Sequence, residues 1–175
     1  MTPTGTFHLL FSLLALTLGA VVLLLPKGTR WHRTWGQGYV WVMVGVVGTS
    51  FAMYNLTGRV TPFHFAALIS GASIVGGMWT VLGRRPKKYW IAAHARWMAW
   101  SYVGLVAALF AETTTRFLMP ALEPRLSGSA MWPAFWTVVI AASVGVFAVG
   151  VWLIRTRLDE AVRKAPDAMR SDSAG

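Results

Sequence analysis

Five stretches of this chain stay apolar for longer than a soluble core helix needs, and nothing else in the sequence constrains the fold as strongly. They run Phe7 to Leu25, Trp31 to Tyr54, Phe63 to Leu82, Tyr89 to Ala111 and Met131 to Ile154. About 20 residues at a rise of roughly 1.5 Å cross a hydrocarbon core of roughly 30 Å, so each run is long enough to span a bilayer. The same runs argue against strands, because they do not alternate and an open sheet edge cannot face lipid. Composition agrees: 55% of the 175 residues are hydrophobic and 13% are charged, too much apolar surface for a soluble domain of this size to hide. The expected fold is all-α, an integral membrane bundle of five transmembrane helices within residues 1–160, followed by a polar cytoplasmic tail over residues 161–175.

The charges set an expected orientation. Alternate connections and the tail hold Lys27, Arg30, Arg33, Arg84, Arg85, Lys87, Lys88, Arg96, Arg155, Arg157, Arg163, Lys164 and Arg170, whereas the opposite set holds only Arg59, Arg116 and Arg125. Basic connections stay in the cytoplasm, which puts the N-terminus outside and the tail inside a bacterial inner membrane. Topology and anionic headgroups then account for the formal charge of +10, and nucleic-acid binding is not expected. No Lys or Arg precedes Phe7, and the first run lacks a small-residue cleavage site before a polar start. It reads as a retained helix rather than a signal peptide.

A duplication runs through the first four spans. Phe7-His8 opens one unit and Phe63-His64 the next. Each continues through an apolar span into a Pro-containing basic connection, then to His32-x-x-Trp35 or His94-x-x-Trp97, and on to Tyr39-Val40 or Tyr102-Val103. Parallel two-helix units are a common way to build membrane bundles, so a duplicated four-helix core with one added helix is expected. All four histidines of the chain fall on this repeat. His8 and His64 start the first and third spans at the outer face, and His32 and His94 start the second and fourth at the inner face. A span of roughly 30 Å separates the pairs, so the four cannot share one site.

Two imidazoles on facing helices can hold a haem iron from both sides, and one b-type haem per leaflet would give an electron path across the bilayer. Neutral imidazole also ligates metals, but zinc or copper wants three or four ligands. Only the outer pair has a carboxylate within reach, so His8, His64 and Glu112 form the alternative metal set. A proton or quinone-type site is a third possibility. The bland reading makes the histidines interface anchors or caps, since His, Trp and Tyr all favour the headgroup region.

Other features read as structure. Ala67/Gly71, Ala72/Gly76 and Ser73/Gly77 are spaced four apart, which lets helix backbones approach. Glu112 and Arg116 are also four apart, the spacing of an ion pair on one helix. Arg96 is placed to snorkel or to meet a lipid phosphate. The ten tryptophans lie mostly near span ends, as an aromatic belt requires. There is no cysteine, which excludes disulfides, thiolate clusters and covalent c-type haem. No phosphate loop, His-Glu-x-x-His or nucleophile motif is present, so an enzyme in its own right is not expected.

The segments "PKGTRWHRTWGQGYV" and "HARWMAWSY" resemble the bacterial membrane family catalogued as domain of unknown function 2306. Its pattern is a basic turn, His-Arg-x-x-Gly-x-x-Tyr, and later His-x-x-Trp-Met-x-x-Ser-Tyr. His32, Arg33, Gly36 and Tyr39 match the first motif, and His94, Trp97, Met98, Ser101 and Tyr102 match the second; Trp100 stands where the pattern has arginine. The resemblance covers roughly residues 7–118 and implies topology rather than activity. Two functions are therefore expected to compete. One is a His-pair protein binding haem b for membrane electron transfer through His8, His64, His32 and His94. The other is a non-catalytic accessory subunit packed against a larger, energy-transducing membrane complex.

Overall fold

A computed structural model of the chain describes residues 2–53, 62–84, 89–126 and 128–158. The expected tail, 161–175, lies outside these residues, as do Arg59, Arg85, Lys87 and Lys88. Among the described residues all regular structure is helical. The five long helices are α1 (Pro3–Leu24), α2 (Arg30–Ala52), α3 (Pro62–Gly83), α4 (Trp90–Leu122) and α5 (Gly128–Leu153). A 3₁₀ turn, Glu123–Arg125, follows α4, and α5 ends in a π-helical turn, Ile154–Leu158.

Four of these helices are long and apolar enough to cross a membrane: α1, α3, α4 and α5. α2 has the length, with 23 residues, but Arg30, His32, Arg33 and Gln37 crowd its first turns and dilute its apolar character. α4 departs most from expectation. Its 33 residues continue well past Ala111, where the apolar run ends, and at about 1.5 Å per residue they reach about 50 Å, beyond the hydrocarbon core. The extension survives because Glu112 and Arg116 neutralise each other one turn apart. Pro120 sits in the last turn, so the intrahelical bond its missing N–H would make is lost only near the helix end.

The chain divides into two compact units, residues 1–83 and 84–175. In the first, α1 and α2 form an antiparallel hairpin around a tightly bonded turn. Thr29 caps α2 by accepting from the His32 amide at 3.2 Å, and its own hydroxyl donates to Pro26 O at 2.9 Å. Gly28 supplies the left-handed residue, with φ of 80°. Two of the basic side chains bond backbone here: Lys27 Nζ donates to the Val22 and Leu23 carbonyls at the end of α1, and Arg33 donates to Gly28 O through Nε and Nη2. Partial burial holds the Lys27 ammonium below its ordinary pKa.

Above the turn, positions equidistant from it meet. A Cβ on Gly38 would touch Leu18, and one on Gly45 would lie 3.0–3.1 Å from the Phe11 ring, so glycine there lets the ring lie against the backbone. α3 packs on the other flank of α2, where a Cβ on Gly71 would meet Val47 at 3.7 Å. With 3.6 residues per turn, Gly38, Gly45 and Thr49 form one face of α2, and Val47 and Phe51 form another. Between those faces runs its most buried stripe, Tyr39, Met43 and Val46.

In the second unit α4 and α5 pack as a hairpin. Gly150 is buried against Val103, and Trp100 lies 6.2 Å from Phe147 between ring centroids. Outward faces are apolar, with Leu24, Leu82 and Phe117 each more than three-quarters exposed. This is the pattern that lipid solvates and water would not.

One strained residue gives a simple prediction. Arg84 ends α3 with φ of 45°, a left-handed conformation that costs a residue with a Cβ about 1–2 kcal/mol. Arg84→Gly is expected to raise the thermal midpoint in detergent by an amount equivalent to about 1 kcal/mol. An unchanged or lower midpoint would show that the arginine side chain offsets the strain.

Candidate functional site

His8 and His64, expected at the outer face, both fall in the first unit. His8 lies in the second turn of α1, on the face that continues through Phe11, Ala15 and Leu18 onto α2. Its Nδ1 is 2.9 Å from Thr49 Oγ1 on α2. The Thr49 hydroxyl has a single proton and sits 2.7 Å from the Gly45 carbonyl and 3.0 Å from the Val46 carbonyl, one turn back on the same helix. With that proton on a backbone carbonyl, the hydroxyl oxygen would be the acceptor toward His8. In that arrangement His8 would carry its proton on Nδ1. This is the arrangement by which metal-ligating histidines are oriented, one ring nitrogen held and the other presented.

His64 lies at the start of α3 with only 9% of its surface exposed, and its Nε2 is fully buried. Its ring is 6.2 Å from that of Phe51, tilted by 45°. Thr49 and Phe51 are two residues apart, so His8 and His64 approach the same end of α2 on its two flanks, either side of the Tyr39–Met43–Val46 stripe. α2 is thus the common support of both imidazoles. Neither Thr49 nor Phe51 was singled out by the sequence.

Glu112 belongs to the second unit and accepts from Arg116 Nε at 3.0 Å and from Nη2 of the same guanidinium. Both partners are about half exposed, so the pair contributes at most about 1 kcal/mol. Among the described residues no group of three or more His, Cys, Asp or Glu side chains gathers as a zinc or copper site would need. His32, half-buried with its Nδ1 enclosed, opens α2 in the first unit, and His94, also half-buried, opens α4 in the second. In the second motif Ser101 is almost fully buried and donates to the Met98 carbonyl at 2.9 Å, whereas Trp97 is exposed.

The family model described as "predicted membrane protein", domain of unknown function 2306, matches residues 5–154. The chain belongs to that family. The match takes in both histidine motifs and all five long helices, and confirms the likeness carried by His32–Tyr39 and His94–Tyr102. No curated protein and no solved structure matches the chain. Family and fold together make this a multi-pass helical membrane protein in contact with the lipid bilayer.

Proposed function

We propose that the chain is a five-span protein of the bacterial inner membrane that holds b-type haem between His8 and His64 near its outer face, and serves membrane electron transfer. The N-terminus lies outside and the basic connections and tail lie in the cytoplasm, as the distribution of Lys and Arg favours. α2 is the fifth span: its polar first turns belong to the headgroup region, and its apolar remainder runs from Val40 to Ala52. The sequence repeat covers α1–α2 and α3–α4, and α5 lies outside it.

The observation that carries this reading is the 2.9 Å contact of His8 Nδ1 with Thr49 Oγ1, a hydroxyl that also lies 2.7 Å from the Gly45 carbonyl. It anchors the His8 ring to α2 near the end where α2 also meets the buried His64. A flat porphyrin would need two imidazoles from separate helices and an apolar wall, and His8 on α1, His64 on α3 and Phe51 are the residues that would provide them. Haem iron held by two imidazoles exchanges single electrons and keeps no position open for a substrate. The protein's part is to orient the ligands, keep water from the iron and set its potential by burial and by the Thr49 bond.

The test is the visible spectrum of the purified full chain from haem-replete cells. A Soret band that sharpens on dithionite reduction is expected. A colourless protein would overturn the proposal and leave the accessory-subunit role as the better account.

A further inference from the structure

The second unit carries an open surface cavity, with Trp132 largely exposed along it, that the haem reading does not use. It has a volume of about 350 Å³, lies where α4 and α5 approach their connection, and is lined by Met119, Met131, Trp132, Phe135 and Arg116. Ligand pockets run from about 300 to 1,000 Å³ and are apolar with a few placed polar groups, which is the composition here. Trp132 and Phe135 stand edge to face at 5.9 Å, and the two methionines supply soft sulfur contacts for a ring. Arg116 brings hydrogen-bond donors to the wall, while its charge is met by Glu112.

That charge balance selects the ligand. An anionic headgroup would gain little from an arginine already paired with a carboxylate, and would meet Glu112 as well. A neutral ring with carbonyl oxygens can stack on aromatic and thioether walls and accept from the guanidinium without breaking the pair. We infer that this cavity binds the head ring of a lipid-soluble quinone. Its place at one end of a lipid-facing hairpin suits a ligand that arrives through the bilayer. Such a quinone is also the class of partner a haem in this membrane would need; that redox role rests on the proposed function, whereas the binding does not.

The experiment measures retention of tritiated decylubiquinone on the immobilised full chain in detergent. Saturable binding is expected, and Arg116→Gln should weaken it roughly tenfold, the weight of one lost hydrogen bond to a charged donor. Met119→Trp, which fills the cavity, should weaken it at least as much, and circular dichroism would verify that both variants fold. Retention that rises without saturation, or equal curves for wild type and both variants, would overturn the site. So would displacement by phosphatidylglycerol at lower concentration than by unlabelled quinone, which would mark an anionic-lipid site. Because the readout needs no haem, colourless protein that saturates with quinone removes the proposed function and keeps this site. Coloured protein that never saturates does the reverse.

Discussion

Purified His64→Ala protein is expected to lose its Soret band, and His8→Ala to do the same, because removing either imidazole leaves the iron with one protein ligand. The two variants differ in what else they disturb. His8→Ala also strips the Thr49 hydroxyl of its partner from α1, whereas His64→Ala leaves the α1–α2 hairpin bonded as before. His8→Asn separates these effects: its amide stands where Nδ1 does and can still reach the Thr49 hydroxyl, and it is expected to fold like the wild type and stay colourless. Thr49→Val keeps both ligands but frees the His8 ring, and should weaken haem retention about 10–100-fold, the usual weight of a group that orients a metal ligand. Haem content is read from the pyridine haemochrome. If Thr49→Val matched the wild type, the His8–Thr49 bond would be a helix-to-helix contact only.

The largest expected effect on stability lies in the other unit. A Cβ on Gly150 would fall 2.7 and 2.8 Å from the two methyls of Val103 and 3.4 Å from its Cβ. Val103 is β-branched and stiff about χ1, so it cannot swing its methyls aside at low cost. Gly150→Ala must therefore push α4 and α5 apart, at about 1–3 kcal/mol, and in lipid no hydrophobic term compensates for lost close packing. Thermal unfolding of the full chain in detergent measures the loss, and Val103→Ala in the same chain should restore most of it. A Gly150→Ala protein as stable as wild type would show that this contact does not set the helix approach.

The helices were legible because a bilayer demands long uninterrupted apolar runs, and each of the five runs is a helix close to its expected bounds. α4 outran its bounds because hydropathy marks where lipid ends rather than where a helix ends; Thr113–Thr115 disfavour helix only weakly, and neither Gly nor Pro occurs in Glu112–Met119. α2 shows the converse, where polar residues in the first turns lowered the apolar character of a helix that did form. The histidines stood out by type and repetition, but their partners did not. Thr49 could have been found by folding the sequence about the Pro26–Thr29 turn, since positions equidistant from it, Phe11 and Gly45 among them, meet across the hairpin. Phe51 and the α4–α5 cavity had no such signal, because both depend on how helices rotate about their axes as they pack.

Haemin titrated into the detergent-solubilised full chain, prepared without added haem and followed by absorbance, tests the central claim most directly. Binding is expected to saturate and give the sharp low-spin bands of bis-imidazole iron, with His8→Ala and His64→Ala failing to produce them. A titration that adds only the broad absorbance of micelle-dissolved haemin, or low-spin bands that persist in both variants, would contradict a haem held between His8 and His64.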